Sequence, residues 1–274
     1  MFGSTIMNPT FIFVDGSYYC YHRYYSLIKW WKNAHKDVSL DDPFQNTIFV
    51  EKFQKTFVEK LLQIPIKLKI KNPIMIIGKD CKRENIWRNE LYSQYKQNRI
   101  CDDFKGGPFF KMAYDDNYFQ RGGAKAILKH PKLEGDDCIA ISVKYLLNKY
   151  QNDCTIYIIT SDRDYLQLVK QNVHIYALNY KPLRTIGDPQ IDLKTKIIMG
   201  DQSDNIPSVF PKCGPKTAQK CIDNCDYFNK IISTKDEYYK QYELNKQLID
   251  FNNIPDELVE EFINTMITPQ NNKV

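Results

Sequence analysis

The sequence predicts an α/β fold, with a central, mostly parallel sheet flanked by helices. Three observations carry that prediction. Short apolar runs recur at residues 11–14, 73–78, 155–160 and 173–176, each bounded by turn-forming or polar residues. Longer stretches with helical spacing separate them, and strands joined by helical crossovers pair in parallel. Three of the runs also close on acid: Asp15 follows the first, Asp80 the second, and Asp162 and Asp164 the third. In an open parallel sheet the carboxyl ends of the strands line the ligand crevice, so acids there point to one pooled carboxylate site.

Taking the chain in order, the run 11–14 ends in Asp15-Gly16-Ser17, and an aromatic-rich stretch over 18–31 reads as a helix. A second helix is expected over 47–62, where Phe49, Phe53, Phe57, Leu61 and Leu62 form an apolar stripe suited to the core. The strand 73–78 leads to Lys79-Asp80. The segment 86–99 is then expected as a helix whose end gathers Tyr95, Lys96 and Arg99. An aromatic beside two cations suits an unpaired base and its phosphates, and cations at a helix C-terminus also suit the dipole. Over 100–132 the pattern dissolves, and a long, weakly patterned insert in a compact domain is expected to serve function.

The insert returns the chain to Glu134-Gly135-Asp136-Asp137, three carboxylates in four residues heading the apolar run 138–147. Acids in the first turn of a helix are favoured by its free N–H groups and dipole. Carboxylates this dense also repel one another unless a cation sits among them, and hard divalent cations take oxygen ligands. After the strand 155–160 come Ser161-Asp162-Arg163-Asp164, a helical 165–169 and the strand 173–176. The last third turns helical and basic. A helix over 189–199 precedes Gly200-Asp201-Gln202-Ser203-Asp204-Asn205, and Gly214-Pro215-Lys216-Thr217 opens another helix as a candidate phosphate cradle without the spacing of a nucleotide-binding P-loop. Residues 226–274 read as amphipathic helices and a polar tail without chemistry of their own.

The 274 residues suffice for an α/β domain over 1–187 and a helical region over 188–274. No run of 18 apolar residues occurs and the first ten residues lack a leader pattern, so the expectation is no membrane and an intracellular setting, in the cytoplasm, the nucleus or a viral replication site. Eight scattered cysteines without a CxxC pair argue against a zinc ribbon or a disulfide framework, and four dispersed histidines argue against a zinc site. The net charge of +5 conceals basic density at Lys67, Lys69 and Lys71, at Lys79, Lys82 and Arg83, and at Lys96 and Arg99. A net basic chain with a carboxylate cluster suits a polyanion held by Lys and Arg while metal handles one phosphate.

These residues resemble the 5′ nuclease family: flap endonucleases, the 5′ nuclease domain of bacterial DNA polymerase I and phage 5′ exonucleases, including the phage enzyme called RNase H. The resemblance spans about 11–222. It rests on Val14-Asp15-Gly16-Ser17, Trp87-Arg88 with Tyr95-Lys96 and Arg99, Glu134-Gly135-Asp136-Asp137, Ser161-Asp162-Arg163-Asp164, and Gly200-Asp201-Gln202-Ser203-Asp204-Asn205. It implies a PIN-like fold with a helical arch over about 100–132 and a helix–two-turn–helix element over 206–222. It also implies two Mg²⁺ or Mn²⁺ ions. The first would be held by Asp15, Asp80, Glu134 and Asp136, the second by Asp162, Asp164 and Asp201, with Asp137 and Asp204 in support.

By the same resemblance Lys96 and Arg99 would steer the scissile phosphate and Tyr95 would stack near it. Arg88, Lys212, Gly214, Lys216 and Thr217 would hold DNA, with K⁺ at the hairpin in some relatives. Two departures stand out. The hairpin reads Lys212-Cys213-Gly214-Pro215-Lys216, with its first glycine replaced, and Asp80 follows Gly78-Lys79 rather than an apolar residue. The implied activity is a structure-specific 5′ nuclease of replication and repair, a monomer acting on DNA with a 5′ flap, nick or single-stranded end, or on an RNA–DNA hybrid. No polymerase or clamp partner is indicated. The alternatives are an RNA-cleaving nuclease of the same fold and a non-catalytic duplex-binding module.

Overall fold

The computed structural model describes residues 8–36, 38–99, 103–185 and 187–267. Strand β1 (Thr10–Asp15) runs into helix α1 (Gly16–Ala34), and α2 (Thr47–Lys67) precedes β2 (Ile74–Gly78). The short α3 (Arg88–Leu91), α4 (Gly107–Asp115) and α5 (Tyr118–Arg121) lead to β3 (Ala124–Leu128). Then α6 (Gly135–Lys149), β4 (Thr155–Ile159), a 3₁₀ turn (Arg163–Leu168) and β5 (Val173–Tyr176) complete the sheet. The rest is helical: α7 (Pro189–Met199), α8 (Pro215–Asp223), α9 (Cys225–Ile232), α10 (Asp236–Ile249) and α11 (Asp256–Phe262). Among the described residues no helix is long and apolar enough to cross a membrane.

All strand pairings are parallel, in the order β3-β2-β1-β4-β5. Helices cover both faces, which is why each strand is apolar along most of its length. Alternation along β1 shows the two layers. Ile12 and Val14 join the core under α1 and α2, with Phe49, Phe53, Phe57 and Leu61, whereas Phe11 and Phe13 join the core under α6. The expected stripe on α2 is therefore core, and the helix continues beyond 62 through Pro65 in its last turn. Packing crosses the 187/188 line: Phe251, Ile254 and Phe262 are buried in the core shared with α6 and the sheet.

Two expectations need correction. Residues 86–99 are not one helix. Only Arg88–Leu91 are α-helical, and Lys96 takes a left-handed φ of 55°. The segment is tied down both by local turns and from across the fold. Lys96 N donates to Asp204 O at 2.8 Å, Asn205 Nδ2 to Gln94 O at 2.7 Å, and Asn98 Nδ2 to Gln202 O at 2.7 Å. Polar groups that find such partners need no helix.

The insert expected over about 100–132 does not extend to 132, because its last part belongs to the sheet. Phe109, Ala113, Tyr118 and Phe119 are buried against α1 and α2, and residues 124–128 are the sheet's edge strand β3. This strand is short, contains two alanines and one lysine, and shows little strand propensity. Its pairing with β2 supplies what propensity does not.

Candidate active site

The carboxyl edge of the sheet opens into a cleft of about 1300 Å³ whose lining includes Asp15, Asp80, Glu134, Asp136, Asp162, Asp164, Asp201 and Asp204. Each acid is placed by a local device. Asp15 ends β1 and caps α1, with Oδ1 accepting from Tyr18 N at 2.9 Å, while Oδ2 accepts from Thr160 Oγ1 at 3.1 Å. That threonine oxygen in turn accepts from Asp162 N at 3.1 Å, so the ends of β1 and β4 are tied together. Asp80 accepts from Gly135 N at 2.6 Å and from the Ser17 hydroxyl, which brings its carboxylate to the cleft even though it follows Lys79 rather than an apolar residue. A Cβ on Gly78 would lie 2.7 Å from Gly135 O, so the close approach of β2 to the start of α6 requires glycine there.

Two groups of carboxylates each present oxygens within 4.8 Å of one another: Glu134 with Asp136 and Asp137, and Asp164 with Asp201 and Asp204. Glu134 precedes α6, and Asp137 in its first turn accepts from Glu134 N at 3.2 Å. Asp201 accepts from Ser203 N at 2.8 Å and Ser203 Oγ at 2.7 Å. Gly200 before it has φ 72° and ψ −172°, and a Cβ there would lie 2.4 Å from Ile206 O and Pro207 O.

Four cations meet these acids. Arg88 bonds Asp137 and Glu134, Lys96 bonds Glu134 at 2.6 Å, Arg99 pairs with Asp204, and Lys196 pairs with Asp164 and Asp201. Asp15, Asp80, Asp136 and Asp162 have no ion pair among the described residues, so the cleft retains surplus negative charge. Burial, reinforced by Asp80 and Asp162, pushes the Asp15 carboxyl up to about 7. Burial likewise raises Asp136 well above the usual carboxylate range, and Glu134 and Asp137 add to it. Burial takes Asp164 to about 6 in spite of Lys196. At Glu134 and Asp201 burial is outweighed by lysine, Lys96 and Lys196 respectively, and both carboxyls are held low. Hard oxygen donors pooled in excess of cations fit divalent metal.

Not every candidate residue faces the cleft. Asp137 is fully buried, and both its oxygens are engaged by Arg88 and by Trp87 Nε1 at 3.0 Å. Arg88, expected on DNA, is instead 2% exposed and also donates from Nε to Leu248 O at 2.8 Å. Tyr95, expected to stack near the phosphate, is buried and donates its hydroxyl to Glu134 at 3.0 Å. Both are corrected to supports beneath the acids, because the loop 92–99 folds inward. Arg99 stays exposed at the rim, and Lys212 and Lys216 are exposed beside Gly214, which precedes α8. Ser17, Thr160 and Lys196 were not singled out from sequence. Ser17 and Thr160 lie two residues from an expected acid, and Lys196 lies five before Asp201 on α7, the only signals they carry.

The family model described as the 5′-3′ exonuclease N-terminal, resolvase-like domain matches residues 10–196. The chain belongs to the 5′-3′ exonuclease family. It is a nuclease hydrolase. This exonuclease is 29% identical over 249 residues to the ribonuclease H of Enterobacteria phage T4, covering 78% of each chain. It is 30% identical over 242 residues to the 5′-3′ exonuclease of Buchnera aphidicola subsp. Acyrthosiphon pisum, covering 83% of this chain and 75% of that one. In fold it is similar to the T5 D15 protein co-crystallised with metal ions, with a TM-score of 0.64 at 15% identity over 94% of this chain and 98% of that chain. A T5 D15 flap endonuclease structure with DNA and metal ions matches with a TM-score of 0.60 over the same shares. These likenesses confirm the central parallel sheet flanked by helices as a PIN-like fold.

Proposed function

We propose that this exonuclease hydrolyses DNA phosphodiesters where a 5′ single strand, nick or flap meets duplex, using two divalent ions, Mg²⁺ or Mn²⁺. The observation that carries the reading is the pair of carboxylate groups at the carboxyl edge of the sheet, one on each side of Lys96. Asp15, Asp80, Glu134 and Asp136 would hold one ion. Asp162, Asp164 and Asp201 would hold the other, with Asp204 bridging to Arg99 and Asp137 acting through Arg88. Bound there, such ions supply an activated water and offset charge on the phosphate.

The chain's own residues do the rest. Lys96 and Arg99 line the same cleft as the acids and supply positive charge beside the phosphate. Arg88 and Tyr95 hold Glu134 in place from beneath, which limits reorganisation as charge develops. Lys212, Lys216 and Thr217, with Gly214, bind the duplex backbone at the positive end of α8. Lys212, exposed and left-handed with φ 59°, takes the place of K⁺ at this hairpin. The chain works as a monomer. That one relative is named a ribonuclease H favours an RNA–DNA hybrid as a second substrate.

The test is cleavage of end-labelled 5′-flap DNA, nicked duplex, RNA–DNA hybrid and single-stranded RNA, side by side, with Mg²⁺ and with EDTA. Cleavage of the 5′-junction DNA and the hybrid, lost with EDTA while DNA binding persists, is expected. Preferential cleavage of single-stranded RNA would favour the RNA nuclease, and metal-independent cleavage would overturn the two-ion reading.

A further inference from the structure

The two acid groups differ in how their charge is balanced. Around Asp15, Asp80 and Asp136 no cation is paired among the described residues, and the cations of that side, Arg88 and Lys96, sit on Glu134 and Asp137. The second group is closed. Lys196 Nζ lies 2.6 Å from Asp201 Oδ2 and also bonds Asp164 Oδ1, so one ammonium spans two of its three acids. Arg99 takes the third, Asp204, which Lys96 also approaches to 3.7 Å. The Lys196 ammonium is thus where shared carboxylate oxygens would otherwise meet a metal, and two cations cannot occupy that point together.

Lys196 can leave without unfolding anything. It projects from α7 on a flexible four-carbon stem, its side chain is 27% exposed, and it lines the open cleft. The turns that carry the acids keep other ties when it leaves. The Asp201 carboxylate is held by Ser203, and the backbone at Asp164 is held by its N–H donating to Asp162 Oδ1 at 2.9 Å, which leaves the Asp164 carboxylate free to turn to a metal.

We infer that Lys196 is a resident counter-ion of the second acid group, so that the two divalent ions load in order. The first ion enters at Asp15, Asp80 and Asp136, which carry no ion pair among the described residues, while Lys96 and Arg88 stay on Glu134. The second enters at Asp164 and Asp201 only as Lys196 departs, and a substrate phosphate in the cleft favours that departure by giving the ammonium another anion. Lys196 is on this account a positioning residue that couples DNA binding to metal occupancy. The inference rests on the two-ion reading above.

Mn²⁺ titration of the full chain, read by calorimetry and by the electron paramagnetic resonance of free Mn²⁺, separates the two. Wild type without DNA should bind one ion tightly and a second weakly, and uncleaved 5′-junction DNA bearing a phosphorothioate at the cleavage site should strengthen the second. Lys196→Met should tighten the second ion about tenfold without DNA, a size typical of linked binding events, and should remove its dependence on DNA. Lys196→Arg should restore weak binding. Lys196→Gln gives the same reading if the methionine variant fails to fold. An unchanged or weaker second ion in the neutral variants overturns the counter-ion role, whereas a wild type that binds no Mn²⁺ overturns the two-ion reading itself.

Discussion

Arg88 closes onto Asp137 with two parallel hydrogen bonds, Nη1 to Oδ2 at 2.8 Å and Nη2 to Oδ1 at 2.7 Å, in a fully buried pair beneath the cleft. Nη1 also reaches Glu134 Oε2 at 3.0 Å. Removing one partner of such a pair leaves an uncompensated buried charge, at a cost of about 3–5 kcal/mol. Arg88→Met is therefore expected to lower unfolding free energy by about that amount in urea titrations. Affinity for DNA in the folded fraction should change little. A variant with wild-type stability and greatly weakened DNA binding would return Arg88 to the nucleic-acid surface.

Asp162 and Lys96 should separate binding from turnover. Asp162 lines the cleft with no ion pair among the described residues, and an asparagine Oδ1 can still accept from Asp164 N, so Asp162→Asn removes a charge and leaves the scaffold intact. Cleavage should fall to background while DNA affinity holds or rises. Lys96→Met should lower turnover by roughly two to three orders of magnitude, the usual size for one electrostatic contact in a transition state. Single-turnover rates alongside equilibrium binding distinguish this from a tether, whose loss would move affinity alone.

The carboxyl pKa values set the pH dependence of the metal-free protein. Asp15 rises from its usual 3.8 to about 7 and Asp164 to about 6, so between pH 4 and 7 the folded state holds more protons than the unfolded chain. Stability must then fall as pH rises through that window. The depressed Glu134 and Asp201 act with the opposite sign, but only below their usual range, where their stabilisation is lost as pH falls. Thermal unfolding in EDTA from pH 4.5 to 7.5 should show a decreasing Tm, and Mg²⁺ should restore more at pH 7.5 than at pH 5. A Tm in EDTA that rises across the window would contradict the pooled-acid electrostatics.

Gly200→Ala tests the backbone that aims Asp201. The left-handed φ and the 2.4 Å approach to two carbonyl oxygens leave no room for a methyl group. Strain of this kind costs about 1–3 kcal/mol, and relief requires moving the 201–206 turn. A loss of stability in that range, with a larger proportional loss of cleavage than of DNA affinity, is expected from denaturation and kinetics run together.

What the sequence determined by itself is the part written in local patterns. Apolar runs of strand length separated by helical stretches implied the parallel sheet. The acids of Asp15, Asp80 and Asp162 announced themselves by standing just past those runs, and Glu134 to Asp137 by density. Tertiary structure decided which way the neighbouring side chains face. Tyr95 and Arg88 sit in a segment with helical character, yet partners more than a hundred residues away, Gln202, Asp204 and Asn205, fold it inward and turn two expected DNA contacts into supports. Strand β3 exists because β2 offers it a ladder, and Lys196 meets Asp164 only because α7 packs beside the 3₁₀ turn that follows β4. Periodicity records burial along one element. It does not record which charge another element brings to the same point, and at this site that pairing decides which acids remain open.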